Sequence, residues 1–283
     1  MKICRSIESL AEALAERGQR RVGFVPTMGF LHAGHLSLVK QCREDNDLAV
    51  VSIYVNPAQF GRNEDLDRYP RDPQRDIALL ENERTDLLFL PDSGAMYPPG
   101  YATYVSVEGL DAVLCGASRP GHFRGVATVV LQLFNLVRPQ RAYFGQKDAQ
   151  QAIVIRRLVR DLHLPVQVIV MPIVRDSDGL ALSSRNVYLA PAERLAALHL
   201  PQALQRADAL VRSGVLDSRA IRTAMRNELE RDPLLASEYI AIVGLPDLLE
   251  TPVVDLNNTL IAAAVRVGRT RLIDNLLLGD LSC

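Results

Sequence analysis

The amino-acid sequence predicts an α/β protein, in which a Rossmann-like parallel-sheet domain (residues 1–178) precedes a smaller α+β domain (residues 179–283) that closes over the site. Two observations carry this prediction. Short, nearly continuous apolar runs alternate with helical segments through the first two thirds of the chain, as expected for parallel strands covered on both faces. After Asn186 two helical segments precede two apolar strands, which is typical of a separate small unit.

The elements of the first domain follow from its apolar runs. Short runs of mostly apolar residues predict five strands: Val22–Pro26, Leu48–Val55, Leu87–Leu90, Arg141–Phe144 and Val166–Val170. Helical spacing predicts helices at about 34–43, 73–84, 125–137 and 148–162. The second of these helices has the strongest start signal, because Asp72 is a good N-cap and Pro73 fits the first helical position.

In the second domain, helices are predicted over Pro191–Leu210 and Ser218–Arg231, and strands over Tyr239–Val243 and Thr259–Val267. The polar stretch before them, which contains Gly179, predicts a linker beside a cleft. These elements are too few to cover a second large sheet. We therefore expect a small α+β unit.

Composition narrows the function classes. Of the 283 residues, 48% are hydrophobic, which is enough for an ordinary buried core. The formal net charge is −1, from 32 basic and 33 acidic residues, so nothing in the composition indicates nucleic-acid binding. No apolar run is long enough to cross a bilayer, and the first residues lack the apolar core of a signal peptide. We expect a cytoplasmic protein that binds neither nucleic acid nor membrane.

The cysteines agree with that compartment. Their wide spacing fits neither a metal knuckle nor a dense disulfide framework. The four are Cys4, Cys42, Cys115 and Cys283. We expect reduced thiols.

The first chemical motif is PTMGFLHAGHLSLV, residues 26–39, in which a strand meets a glycine turn and then a helix. A helix N-terminus at the end of a parallel strand attracts phosphate. His32 and His35 are three residues apart, so both face the same way if they lie in the first turn. The alternative is a pair of unrelated capping or surface histidines. A zinc site is a weaker interpretation, because no third ligand is suitably placed nearby.

Two further segments offer groups for phosphate. AYFGQKDAQQ (142–151) brings Lys147, a mobile point charge, to another strand–turn–helix junction. Asp148 in that segment suits either a ribose hydroxyl or a helix cap. DGLALSSRNVYL (178–189) presents two serines and Arg185 as a polyphosphate clamp, although its composition equally fits a polar interdomain linker.

Two more segments suit a small substrate. In IYVNPAQF, Asn56 and Gln59 follow a strand, where carboxamides can hold a hydroxylated or carboxylated molecule. Asn56 also fits a simple turn former, and the polar stretch from residue 60 to 73 predicts a mobile lid. SRPGHFRGVATVV (118–130) places Arg119, His122 and Arg124 before a helix, where they bind anions or decorate a helix start.

Together, PTMGFLHAGH, YVNPAQF, RPGHFRGV, YFGQKDAQQ and GLALSSRN, in this order, resemble the pantoate–β-alanine ligase family over nearly the whole chain. That family belongs to the H-x-G-H nucleotidyltransferase-like group. The resemblance implies an ATP-dependent condensation of (R)-pantoate with β-alanine to pantothenate, a coenzyme A precursor, through pantoyl-adenylate, with release of AMP and pyrophosphate. It also implies Mg²⁺ and a homodimer. The competing interpretations are a nucleotidyltransferase that needs no amine, and a nucleotide- or RNA-binding module without catalysis.

The resemblance also implies residue roles. His35 would be the main catalytic residue and His32 would assist it. Lys147 would also be catalytic. Gln59 and Gln151 would bind pantoate, and Gln59 also β-alanine. The ATP-binding set would be Met28, Gly29, Phe30, Leu31, His32, Ala33, Gly34, His35, Gly145, Gln146, Lys147, Asp148, Val174, Leu182, Ser183, Ser184 and Arg185.

Three positions have a less specific assignment. Asn56 and Arg119 would support the site. Arg75 stands where some relatives carry a carboxylate implicated with Mg²⁺, so no protein metal ligand is assigned.

Overall fold

The computed structural model of the protein describes residues 1–62 and 64–280. The chain forms two compact units, each described by itself below. The first unit comprises residues 1–112, 116–145 and 150–172, and the second comprises 113–115, 146–149 and 173–283. The boundary at residues 178 and 179 predicted from the sequence concerns independently folding domains, and it stays a prediction.

The first unit contains a six-stranded parallel sheet, which confirms the predicted Rossmann-like domain. Its strands are β1 (Lys2–Cys4), β2 (Val22–Thr27), β3 (Leu48–Ile53), β4 (Leu87–Phe89), β5 (Arg141–Gly145) and β6 (Gln167–Met171). Their spatial order is β1-β4-β3-β2-β5-β6, and every neighbouring pair is parallel. All six residues of β3 are buried, as expected for a strand covered on both faces.

Helices alternate with these strands along the described chain. They are α1 (Ile7–Ala15), α2 (Ala33–Asp45), α3 (Pro73–Asn82), α4 (Ser93–Met96), α5 (Cys115–Ser118), α6 (His122–Val137) and α7 (Ala149–Asp161). The predicted cap of α3 is confirmed, because the Asp72 side chain accepts the Arg75 N–H at 3.0 Å. Helix α6 begins three residues before the predicted start at 125, since Gly121 with φ 83° turns the chain into it.

The strand order creates a switch point beside β2. The chain leaves β2 for β3 on one side and later places β5 on the other side. Ligands of open α/β sheets bind outside the carboxyl ends of strands at such a point. The Met28–His32 loop after β2 and Gly145 at the end of β5 lie there.

The second unit is α+β, as predicted. Its helices are α8 (Pro191–Ala197), α9 (His199–Arg212) and α10 (Ser218–Leu229), and its strands are β7 (Leu235–Gly244), β8 (Leu249–Glu250), β9 (Asn258–Val267) and β10 (Thr270–Gly279). The sheet is antiparallel with the order β10-β9-β7-β8. Its core joins α9 and α10 to the sheet through buried residues such as Leu204, Ile221 and Ala263.

One prediction for this unit was wrong, and two of its strands, β8 and β10, were not predicted. The single helix predicted over Pro191–Leu210 is two helices that meet at Leu198. Pro201 explains the break, because it has no N–H and its ring would collide with the carbonyl four residues earlier in a continuous helix. Strand β10 was missed, although the two residues Gly268 and Arg269 between β9 and β10 are a recognisable hairpin signal.

Cys4, Cys42 and Cys115 are buried and form no disulfide, whereas Cys283 lies outside the described residues. Within residues 1–62 and 64–280, no helix is both long and apolar enough to span a membrane.

Candidate active site

The two histidines of the first motif form the start of α2. His32 is the N-cap, and its Nδ1 accepts the Gly34 N–H at 3.2 Å. His35 Nδ1 accepts the His32 N–H at 3.4 Å, and the two ring centroids are 4.0 Å apart. A nitrogen that accepts a hydrogen bond carries no proton, so in each neutral ring the proton lies on Nε2. Both histidines therefore carry an Nε2–H donor of the kind a phosphate oxygen accepts.

The loop before these histidines has an unusual backbone. Gly29 and Phe30 are consecutive residues with positive φ, at 82° and 50°. Glycine is required first, because a Cβ at position 29 would meet Ile53 Cγ2 at 2.8 Å and φ is in the left-handed region. The Gly29 N–H donates to Thr27 Oγ1 at 3.2 Å, which in turn donates to the Ser52 carbonyl at 2.8 Å.

Asp76 of α3 holds the rest of this loop. Its Oδ2 accepts the Phe30 N–H at 2.7 Å and its Oδ1 accepts the Leu31 N–H at 2.8 Å. Burial raises the pKa of Asp76 above its usual value, although the two N–H groups and Arg75 act in the opposite direction. Sequence reasoning did not identify Asp76, because a contact between residues 46 positions apart leaves no local pattern.

The side-chain carboxamides of Asn56 and Gln59, in the motif IYVNPAQF, are hydrogen-bonded to each other. Asn56 caps the short helix Pro57–Gln59 through its Oδ1, which accepts the Ala58 N–H at 3.2 Å. Its Nδ2 donates to Gln59 Oε1 at 3.0 Å, and Gln59 Nε2 lies 3.2 Å from Met28 Sδ. Both carboxamides are buried. Asn56 is thus a turn former and also the residue that orients Gln59.

Helix α6 packs directly on this turn. Asn56 Nδ2 donates to the Gly125 carbonyl at 3.1 Å. A Cβ at Gly125 would collide with the Ala58 carbonyl and would lie 2.6 Å from Gln59 N. Position 125 therefore requires glycine for close approach of two backbones, which is a constraint of packing rather than of φ.

Hydrogen bonds among Arg119, Glu64 and His122 connect the segment after Gln59 to the start of α6. We call this group of side chains the latch. Arg119 binds the Glu64 carboxylate through Nε and Nη2, at 2.7 and 2.6 Å, and its Nη1 lies 3.0 Å from His122 Nε2. Arginine only donates, so His122 accepts on Nε2 and donates from Nδ1 to the Gln59 carbonyl at 2.9 Å. Arg119 thus supports the Gln59 turn through His122 and also directly, because its Nη2 donates to the Gln59 carbonyl at 3.4 Å.

Glu64 is charged in this latch. Burial pushes the pKa of Glu64 upward, but the hydrogen bond and charge of Arg119 outweigh it and hold that pKa below its usual value. Nothing in the sequence of the predicted lid distinguishes this glutamate. Its partner lies 55 positions away, and only the fold brings the two together.

Two more predicted residues belong to the first unit. Gly145 is the last residue of β5, opposite Met171 of β6. Gln151 is half-buried in the first turn of α7. Neighbouring Gln150 is buried and donates to the Leu110 carbonyl at 2.9 Å.

In the second unit, Asn275 of β10 holds the predicted lysine turn. Residues Gln146–Asp148 form a short helix, and Asn275 Nδ2 donates to the carbonyls of Gln146 and Lys147 at 2.9 and 3.1 Å. The Gln146 side chain returns a hydrogen bond to Asn275 Oδ1 at 3.2 Å. Lys147 Nζ lies 3.8 Å from the Asp148 carboxylate. Asn275 was missed at the sequence level because its whole strand was missed.

The predicted polyphosphate clamp lies in the same unit. Ser183 caps the short helix Ser184–Tyr188 by accepting the Arg185 N–H at 3.3 Å, and Ser184 is buried. The Leu182 N–H donates to the Val174 carbonyl at 3.0 Å, which brings together two residues assigned to ATP.

Three ion pairs restrain the ends of this loop. Arg175 binds the buried Asp274 through two hydrogen bonds, at 2.6 and 3.1 Å. Arg194 of α8 binds Asp176 and Asp178, at 2.6 and 2.7 Å. The composition of this loop also fits a plain linker. In the structure, however, the loop is held at both ends.

A protein cage for a metal ion is absent from the described part of the chain. No group of three or more histidine, cysteine or acidic side chains there could hold one. Arg75 stands where some relatives are expected to carry a carboxylate. Its Cζ lies 5.4 Å from the centroid of the Phe30 ring. Mg²⁺ often keeps several waters and binds substrate phosphates rather than an all-protein cage.

Comparisons with known proteins agree with this arrangement. The model of the family described as pantoate-beta-alanine ligase matches residues 2–277. The pantothenate synthetase of Roseiflexus castenholzii is 55% identical over 276 residues, covering 97% of this chain and 99% of the relative. That of Herpetosiphon aurantiacus is 52% identical over 278 residues, covering 98% and 100%.

Solved structures show the same likeness. A pantothenate synthetase from Thermus thermophilus has a TM-score of 0.94 at 48% identity, covering 99% of this chain and 100% of that one. A pantoate-beta-alanine ligase from Francisella tularensis, complexed with beta-gamma ATP and beta-alanine, has a TM-score of 0.82 at 34% identity, covering 98% and 97%. The chain therefore belongs to the pantoate–β-alanine ligase family.

Proposed function

We propose that His32, His35 and Lys147 carry the adenylation step in the ATP-dependent condensation of pantoate with β-alanine that this ligase catalyses. In the first step the pantoate carboxylate attacks the α-phosphate of ATP, which gives pantoyl-adenylate and pyrophosphate. In the second step the amine of β-alanine attacks the acyl carbon, loses a proton and displaces AMP. The membership of the chain in its family supports both steps.

One observation carries the histidine roles. Both rings accept a backbone N–H on Nδ1 at the start of α2, so each keeps a proton on Nε2 for a phosphate oxygen. The attack of one anion on another requires charge neutralisation and alignment more than a strong base. His35 donates to the α-phosphate as negative charge develops there, and His32 assists. The N-terminus of α2 adds a partial positive charge.

The remaining phosphate groups would be bound by a lysine, two serines and an arginine. We assign Lys147, Ser183, Ser184 and Arg185 to the β- and γ-phosphates, and Gly145, Gln146, Asp148, Val174 and Leu182 to the nucleoside side. The ordered loops around Asn275 and Arg175 support this assignment, because preformed donors bind phosphate without an ordering cost. Phe30 and Leu31 would contact ATP by shape alone, since their N–H groups are bonded to Asp76.

Gln59 and Gln151 are assigned to pantoate, and Gln59 also to β-alanine. The buried Asn56–Gln59 pair supports the first assignment, because it fixes which end of the carboxamide accepts and which donates. Arg119 supports this turn directly and through His122, since both side chains donate to the Gln59 carbonyl.

Three further properties belong to this proposal. Mg²⁺ accompanies ATP, held by phosphates and water. The chain works as a homodimer, which sedimentation velocity tests by giving a mass twice that of the 31.3 kDa chain. It works in the cytoplasm, which agrees with three buried cysteines that form no disulfide.

A reaction with and without each substrate tests the activity. We expect the enzyme to form AMP, pyrophosphate and pantothenate from ATP, pantoate and β-alanine, and to form pantoyl-adenylate when the amine is omitted. The nucleotidyltransferase alternative predicts a product that does not depend on the amine. AMP formation without any amide product would contradict the ligase, and mass spectrometry distinguishes the two outcomes.

A further inference from the structure

The Asp76 carboxylate is used entirely on the loop that precedes the two histidines. One oxygen accepts the Phe30 N–H at 2.7 Å and the other accepts the Leu31 N–H at 2.8 Å. Asp76 is 1% exposed, so water does not compete for these bonds. Hydrogen bonds between a carboxylate and N–H groups are roughly twice as strong as neutral ones.

The loop needs such a restraint. A phenylalanine with positive φ, as at Phe30, is in a strained backbone conformation that persists only when its surroundings impose it. Packing alone does not immobilise this segment, because a cavity of about 230 Å³ borders Met28, Gly29 and Phe30 on the side of β3 and β4. Without the two bonds, the strained backbone of Phe30 would favour another conformation, and the cavity would leave space for that change.

Relaxation of the loop would reach the histidines. Leu31 is directly followed by His32, the N-cap of α2, whose N–H donates to His35 Nδ1 at 3.4 Å. A shift of the Leu31 backbone therefore changes the orientation of the His32 peptide and the bond that fixes the His35 ring. Arg75 joins the same cluster, with Nη1 3.8 Å from Asp76 Oδ1 and its guanidinium over the Phe30 ring.

We propose that Asp76 is a positioning residue for adenylation: it fixes the Phe30–Leu31 backbone and so aligns His32 and His35. This inference rests on the roles proposed above for the two histidines. Because both of its oxygens accept loop N–H groups, Asp76 acts through the histidines and not on a substrate.

The test compares Asp76→Asn with two controls on the same helix turn. Asparagine has the same shape, but its NH₂ would face one of the two loop amides, donor against donor. Asp72→Asn removes the same charge nearby and keeps an equally good cap for α3. Asp72→Ala removes the cap and weakens α3 without touching the loop.

We expect Asp76→Asn to lower kcat for pyrophosphate release by about 10- to 100-fold, since small misplacements of catalytic groups have effects of that size. The Kd of pantoate should stay within about twofold, and hydrogen–deuterium exchange should accelerate in a peptide spanning residues 28–36. Both Asp72 variants should keep kcat within about twofold of the wild type. Equal losses of kcat in Asp76→Asn and Asp72→Ala would overturn the inference in favour of general helix stability.

A double variant separates this inference from the proposed function. If Asp76 acts through the two histidines, Asp76→Asn should cost less in a His35→Ala enzyme than in the wild type, because only the alignment of His32 is then left to lose. Fully additive losses would overturn the positioning role while leaving the role of His35 intact. Failure of the proposed function has a different signature, which is a His35→Ala enzyme with the wild-type rate.

Discussion

At the scale of single residues, the chemistry of the site depends on which ring nitrogen carries a proton. Three histidines are assigned by their neighbours: His32 and His35 accept on Nδ1, and His122 accepts on Nε2 from Arg119. In the neutral rings of His32 and His35 the proton lies on Nε2, which is the donor that we propose for phosphate. His122 donates from Nδ1 to the Gln59 carbonyl and accepts on Nε2, so it supports the Gln59 turn.

The clearest prediction at this scale concerns His35. Its replacement by alanine removes a donor to the developing charge, so pyrophosphate release should slow by on the order of a hundredfold while the circular dichroism spectrum is unchanged. His163→Asn is the matched control: His163 follows α7 with φ 51°, which asparagine tolerates. A near-wild-type rate for His35→Ala would remove this histidine from the mechanism.

Gln59 should act on a different substrate. Gln59→Ala removes a buried, oriented carboxamide, and we expect the Kd of pantoate to rise about tenfold, the equivalent of one good hydrogen bond. Calorimetry measures it, with ATP affinity expected to stay unchanged. Gln41→Ala, which removes a carboxamide that binds Asp45 on α2, is the control. A larger effect on ATP than on pantoate would show that Gln59 is misassigned.

The residues proposed to contact ligands could be identified from the sequence. The residues that position those side chains could not. His32, Gln59 and Lys147 stand in short motifs that together carry the family resemblance, and the resemblance assigns them to the site. Asp76 and Asn275 act on those motifs from 46 and more than 120 positions away. Nothing local in either segment signals such a bond, because it exists only once the sheets have formed.

At the scale of secondary-structure elements, close backbone contact positions the substrate turn. Gly125 lets α6 approach the Pro57–Gln59 helix until the two backbones touch. The sequence predicted α6 from its apolar spacing, yet it placed the start at this glycine instead of at His122. Apolar periodicity begins inside the helix, whereas the true start is set by Gly121, so the pattern could not locate it.

Gly125→Ala should separate these elements. The added methyl group overlaps the Ala58 carbonyl, and we expect a loss of about 1–3 kcal/mol in the free energy of unfolding together with weaker pantoate binding. Denaturant titration and calorimetry measure the two effects. Gly94→Ala in α4, where a Cβ would be at ordinary contact distance, 3.4 Å from Asp92 Oδ1, should be nearly neutral. Unchanged stability of Gly125→Ala would contradict the close packing.

The latch between Glu64 and Arg119 gives a pH dependence. The pKa of Glu64 is lower in the folded protein than usual, so the ion pair stabilises the fold above the usual carboxyl pKa. That contribution disappears as the pH falls through the folded-state pKa. The Tm difference between wild type and Glu64→Gln should therefore be largest near pH 7 and shrink below about pH 4. Glu12→Gln on α1 is the exposed control, and a difference independent of pH would contradict the latch.

At the scale of the whole molecule, the fold class was readable because it depends on patterns that repeat. Continuous apolar runs fit a sheet buried on both faces, and the change of pattern after Asn186 fits a separate unit. Which residues belong to each unit could not be predicted from the sequence. The second includes residues 113–115 and 146–149, which lie within the sequence of the first, and no local signal marks such an exchange.

The switch point beside β2 connects the fold to the reaction. It places the Met28–His32 loop and the end of β5 at one edge of the first unit's sheet, where open α/β folds bind their ligands. The family relationship names the reaction, and the geometry of the histidine turn supports the roles proposed for its first step. The claim that connects these levels is that pantoate is activated as its adenylate.

Transfer of isotope from pantoate tests that claim most directly. When pantoate labelled with ¹⁸O in its carboxylate reacts with ATP and β-alanine, the attacking oxygen becomes the bridge between acyl group and phosphate. Displacement by the amine leaves that oxygen on AMP. We predict one ¹⁸O per AMP by mass spectrometry, at the rate at which pantothenate forms. AMP without the label would contradict an acyl-adenylate and, with it, the role of the two histidines proposed here.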